Sequence, residues 1–108
     1  MGSPANRRQH PRVTGPFDAY RLGIFDTPLQ IYDLSVGGCF INDFHDPPPP
    51  GKTFPIKIEL PEEEPLTLQV QAVYGRPGFG YAVQFCELSD EARTTLERAL
   101  TRIQTRGY

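Results

Sequence analysis

Proline and glycine recur so often along this chain that no regular element can run far, with 12 prolines and 10 glycines in 108 residues. Such punctuation rules out a helical bundle or coiled coil and favours short elements joined by turns. One domain is expected, with enough material for a single core and no second one. The hydrophobic share of 38% and charged share of 22% are those of a folding chain, not of a disordered one.

Six short segments rich in β-branched, aromatic and aliphatic residues lie between the turn formers, at roughly 17–24, 28–34, 37–42, 53–60, 66–74 and 79–87. In the fourth, Phe54, Ile56, Ile58 and Leu60 alternate; in the fifth, Leu66, Leu68, Val70, Ala72 and Tyr74 do. That period of two predicts one face on a core and the other in water. Pro47 to Pro50 and Gly51 predict a stiff extended connector. Glu62 to Glu64, bracketed by Pro61 and Pro65, predict a solvated hairpin turn whose carboxylates have no partner and no chemistry.

The last segment changes period. Ser89 is placed to cap a helix, Asp90 and Glu91 suit its positive end, and Ala92, Leu96, Ala99, Leu100 and Ile103 recur at helical spacing. Arg98, Arg102 and Arg106 fall toward the negative end, where cations are favoured. The expected fold is all-β: a small six-stranded antiparallel barrel with one C-terminal α-helix packed on it or across an open end. Residues 1–12 read as a flexible arginine-rich arm and residues 13–105 as the barrel with its helix.

Formal charge is −2, which argues against a protein that coats long nucleic acid. The basic residues are nonetheless clustered, with Arg7, Arg8, Arg12 and Arg21 in the first fifth of the chain. No apolar run is long enough to span a membrane, and a secretory signal is lacking, so a cytoplasmic protein without membrane insertion is expected. The start Met-Gly-Ser-Pro-Ala-Asn has Asn6 where a myristoylation signal wants Ser or Thr. Cys39 and Cys86 lie in strand-like stretches and read as buried, reduced thiols. With His10 and His45, which read as exposed, they have no zinc-ligand spacing.

Two patterns carry chemistry. Arg8-Gln9-His10-Pro11-Arg12 is RxxxR, a spacing that nine arginines produce readily by chance and that recurs in the C-terminal helix. Asp33-Leu34-Ser35-Val36-Gly37-Gly38 contains DxSxxG, for which this composition gives a chance expectation of roughly 0.02. A guanidinium presents a planar fork that fits phosphate oxygens or the O6 and N7 edge of guanine, and it stacks on a purine. Pro11 disfavours a continuous helix through the spacer, so Arg8 and Arg12 belong on an extended arm able to wrap a ligand. An Asp33 carboxylate accepts from the N1–H and N2 amino pair of guanine, which adenine lacks. Ser35 adds a short donor and acceptor, while Gly37 and Gly38 permit a tight turn and close backbone approach.

With both motifs set among six strands and a terminal helix, the sequence resembles the PilZ domain family of bacterial cyclic di-GMP receptors. The resemblance runs from Arg7 to about Ile103 and includes the "IKIELP" strand and the "YAVQF" strand before "LSDEARTTLERAL". It implies that Arg8 and Arg12 clamp the ligand, that Asp33, Ser35 and Gly38 form the base-recognition turn, and that Arg7 and Gly37 are accessory contacts. One departure is Ala82, where the family's last strand often has Gly. Tyr74 is a candidate stacking residue, and Arg76, in a Gly and Pro turn, reads as solvated.

The expected function is therefore noncatalytic binding of cyclic di-GMP without a cofactor, with the arm closing over the ligand and changing a surface offered to an effector protein or a linked output domain. Two alternatives stand beside it: a degenerate barrel used only for protein interaction, and a small barrel for single-stranded nucleic acid. Against the second weighs the lack of an aromatic series along one strand face. Against an enzyme weighs the absence from the sequence pattern of a paired nucleophile, a carboxylate dyad or a Gly-rich loop opening a helix.

Overall fold

A computed structural model describes residues 12–43 and 47–106. Six antiparallel strands, β1 (Phe17–Arg21), β2 (Thr27–Tyr32), β3 (Gly38–Asn42), β4 (Thr53–Ile58), β5 (Leu66–Arg76) and β6 (Gly80–Cys86), precede one helix, α1 (Asp90–Arg106). The strands close into a barrel in the order β1-β2-β3-β6-β5-β4. Every neighbouring pair is antiparallel, and the β1–β4 pair, Ala19 with Ile58 through Arg21 with Ile56, completes the ring. The expected architecture is the one observed.

Alternation explains the core. Phe54, Ile56 and Ile58 of β4, Leu68, Val70 and Ala72 of β5, and Cys39 and Ile41 of β3 all point inward and are buried. One end of this core would stay open without α1. Leu96, Ala99 and Leu100 of the helix are fully buried and Ile103 nearly so, in one cluster with Leu34, Val36 and Val13. Topology locates that end. The β2–β3 turn, the β4–β5 loop and the β6–α1 connection all leave the barrel there, and the other three connections leave the opposite end.

Ser89 caps α1 as its sequence suggests, its hydroxyl accepting the Ala92 N–H at 3.0 Å. Its arginines do more than face the helix dipole. The β4–β5 loop is not a solvated turn without partners, because the Glu63 side chain is only 8% exposed and holds two guanidinium groups at once. Arg98 donates to both carboxylate oxygens, at 2.9 and 2.8 Å, and Arg102 donates to Oε2 at 2.8 Å and to the Pro61 carbonyl at 3.1 Å. Those two cations hold the Glu63 carboxyl at about 2, well below its ordinary range, against the opposing effect of desolvation. Helix and loop are thereby tied across the end of the barrel.

Other expectations shift in detail. Leu22 to Phe25 leave β1 to form the β1–β2 turn, where Ile24 is 96% exposed and Phe25 85%. Gly23 before them and the Asp26-Thr27-Pro28 run after them are turn chemistry that ends the strand early. Both cysteines are free; Cys39 is buried, and burial raises its thiol to about 12, but Cys86 is only half-buried. Pro47 to Gly51 cross toward β4 along the outer half of β5, where the Gly51 N–H donates to the Ala72 carbonyl at 2.8 Å. No helix among the described residues is long and apolar enough to cross a membrane.

Candidate functional site

The DxSxxG segment forms the β2–β3 turn, and its alternation divides its roles. Leu34 and Val36 are buried in the core, so Asp33 and Ser35 are turned outward. Asp33 takes a left-handed conformation with φ 52°, a region where Asp and Asn are the least disfavoured side chains after glycine. The Ser35 hydroxyl accepts the Gly37 N–H at 3.2 Å and donates to the Gly38 carbonyl at 3.4 Å, so part of its capacity is spent on holding the turn.

Gly38 and Gly37 do different work. A side-chain carbon at Gly38 would lie 2.1 Å from the Val83 carbonyl oxygen of β6, so only glycine allows the two strands to meet there. At Gly37 the nearest atom to such a carbon is the Ser35 Oγ at 3.8 Å.

The chain preceding β1 is stitched onto this turn. Val13 and Leu34 exchange backbone hydrogen bonds at 2.9 and 2.8 Å, and the Asp33 N–H donates to the Thr14 carbonyl at 3.1 Å. Two residues 21 apart in sequence, Arg12 and Asp33, therefore line one cavity of about 320 Å³ with Ser35, Gly37, Gly38 and Tyr74. Cys39, Phe40, Ala82, Val83 and Gln84 complete its walls. Arg7, Arg8, Pro11, His10 and His45 lie outside the described residues.

Tyr74 reaches this cavity by a break in strand alternation. The period-two reading places it inward with Ala72, but a β-bulge shifts the β5–β6 register between them. Ala72 pairs with the buried Val83 and Tyr74 with the outward Ala82, so the ring leaves the core and is 61% exposed. Bulges commonly re-aim a side chain in this way beside a binding site.

The same register assembles what no single strand displays. Tyr32 pairs with Phe40, Phe40 with Ala82, and Ala82 with Tyr74, which makes a row across β2, β3, β6 and β5 on the outer surface. No single strand carries an aromatic series along its length; the row comes from cross-strand pairing, a signal that the sequence of one strand does not contain. The row continues into a second cavity of about 640 Å³, lined by Tyr32, Phe40, Tyr74, Arg76 and Phe79 among others. Arg76 is exposed, as its turn implies, and its guanidinium carbon lies 5.3 Å from the centre of the Phe79 ring.

The molecule is thus a closed six-stranded barrel with a capping helix, carrying a polar cavity walled by an arginine, an aspartate and glycine-bearing backbone. This chain belongs to the PilZ domain family, whose model matches residues 6–102. A search of curated proteins finds no match.

Among solved structures the chain is similar to the Bacillus subtilis inhibitor of motility MotI/DgrA, with a TM-score of 0.77 and 18% identity over 94% of this chain and 53% of that one. It is similar to the PilZ domain of YcgR from Escherichia coli, solved with c-di-GMP, at TM-score 0.75 and 15% identity, covering 94% of each chain. A tetrameric PilZ protein from Xanthomonas campestris follows at TM-score 0.61 and 22% identity, over 79% of this chain and 49% of that one. The chain spans about half the length of MotI/DgrA, and at these identities the likeness is one of fold.

Proposed function

We propose that this chain is a noncatalytic receptor for cyclic di-GMP, with residues 1–12 as an arm that closes over the ligand and residues 13–105 as the barrel that presents it. The observation that carries the reading is the single cavity shared by Arg12 and the DxSxxG turn. The ligand complex of the YcgR domain, alike in fold over 94% of the chain, supports it.

Asp33 accepts the N1–H and N2 amino group of one guanine, and Arg12 and Arg8 take its O6 and N7 edge or a phosphate, with Arg7 as an accessory cation. Ser35, Gly37 and Gly38 hold the backbone close to the flat ligand, and Tyr74 offers a ring to a base. Ordering the arm costs chain entropy, which charge-assisted contacts to two phosphates offset. The ordered arm alters the surface offered to an effector protein or linked output domain.

Calorimetric titration with cyclic di-GMP, cyclic di-AMP and GTP tests this. Binding selective for cyclic di-GMP is expected, with Arg8→Ala, Arg12→Ala and Asp33→Ala each weakening it by about tenfold or more, as loss of a bidentate contact implies. Unchanged affinity in all three variants refutes the site. Affinity for oligonucleotides that grows with their length and falls steeply with salt would replace the receptor reading by a nucleic-acid one.

A further inference from the structure

Cyclic di-GMP carries two guanines, and the motif cavity has edge-reading groups for one of them. The larger groove adjoining it, about 640 Å³, shares the Phe40 and Tyr74 walls with that cavity. Its own lining beyond these is Tyr32, Asn42, Gly78 and Phe79, with Arg76 as the one charged side chain among the described residues. We propose that this groove is a second base subsite, which receives the other guanine by stacking against the cross-strand aromatics. The assignment rests on the receptor reading above and goes beyond it in placing the second base.

Three observations carry it. Large aromatic rings left in water without a packing role are costly, yet Tyr74 is 61% exposed and Phe79 65%. The bulge between Ala72 and Tyr74 turns the tyrosine out at the junction of the two cavities. Between Phe40 and Tyr74 in the row stands Ala82, whose methyl group leaves the path from one cavity to the other low.

The chemistry of the groove also chooses among occupants. Among the described residues no carboxylate lines it to accept the N1–H and N2 amino pair as Asp33 does in the motif cavity; Asn42 is its one side-chain amide, and its rings suit stacking, which tolerates any face. The Arg76 guanidinium, parked over Phe79, is free to accompany a phosphate or a purine face. A second copy of the chain docked face to face by a two-fold axis would bring two Arg76 cations together, with no lining carboxylate among the described residues to offset them.

The test separates this subsite from the motif cavity by using residues that line the groove alone. Cyclic di-GMP and GMP, which carries one guanine, are titrated calorimetrically into the wild-type chain and into Tyr32→Ala and Phe79→Ala, with GMP read by displacement. Stacking contributions of this kind correspond to roughly 5- to 150-fold in affinity. The preference for cyclic di-GMP over GMP is expected to fall by about tenfold or more in Phe79→Ala, whose side chain is largely exposed and not needed for folding, and in Tyr32→Ala. A preference within twofold of wild type in both variants overturns the subsite while leaving the receptor reading intact. A wild-type chain that does not bind cyclic di-GMP overturns the receptor reading, and the subsite with it.

Discussion

Replacing Gly38 by alanine isolates what the last glycine of the motif contributes. The added carbon would sit 2.1 Å from the Val83 carbonyl oxygen and 3.2 Å from the Gln84 Cα, where ordinary contact begins at 3.4 Å. Both neighbours are backbone, so no side-chain rotation relieves the clash and the strands must part by more than about 1 Å. Gly38 and Gln84 face each other as a non-hydrogen-bonded pair, and the interstrand bonds flanking them are the Phe85 N–H to the Gly37 carbonyl, at 2.9 Å, and the Cys39 N–H to the Val83 carbonyl that this register implies. Stretched by that much they leave hydrogen-bonding range, and two lost bonds cost about 2 kcal/mol. In a domain of this size that lowers Tm by roughly 8–16 °C. Gly37→Ala is the control, since its new carbon meets only the Ser35 Oγ at 3.8 Å and its backbone is not left-handed. It is expected to hold Tm or raise it slightly, because alanine restricts the unfolded chain by about 0.4–1 kcal/mol. Thermal melts followed by circular dichroism compare the two variants directly. Melting temperatures within about 2 °C of each other would refute the close-approach reasoning.

Three further outcomes follow from the same geometry. Asp33→Asn, which tolerates the left-handed backbone, is expected to keep Tm within about 2 °C and still lose about tenfold or more in cyclic di-GMP affinity, whereas Asp33→Ala loses stability too; paired melts and titrations check this. Glu63 has its carboxyl lowered from 4.5 to about 2 by Arg98 and Arg102, so its contribution to stability is complete above about pH 4.5 and is lost as pH falls toward 2. Wild-type Tm should therefore fall more steeply than that of Glu63→Gln across that interval, and parallel curves would contradict the clamp. Leu100→Ala, at a fully buried position of α1, is expected to cost about 2–5 kcal/mol in urea unfolding.

The barrel was legible because its signals are local. Alternation in Phe54 to Leu60, turn formers between segments and the Ser89 cap with its helical spacing each need only a few neighbouring residues. The motif was legible for the same reason, and the structure joins Arg12 to the Asp33 turn through the Val13–Leu34 bridge, a pairing across 21 residues that composition does not announce. What stayed hidden depends on register. Nothing in the run Leu66 to Tyr74 marks the bulge that sends Tyr74 outward, and the Tyr32–Phe40–Ala82–Tyr74 row exists only once four strands are paired. The Glu63 clamp was hidden likewise, since its partners lie 35 and 39 residues away.

The turn that faces solvent with Asp33 and Ser35 is the same one that sends Leu34 and Val36 into the cluster closed by Leu96, Leu100 and Ile103. Four consecutive residues thus belong to two surfaces at once. Thermodynamic linkage makes such an arrangement symmetrical: whatever free energy a ligand at the turn adds to the seating of α1, the seated helix returns to the ligand in equal measure. A partner that pries the helix from the barrel would then release a ligand bound at the turn without touching the cavity beside it.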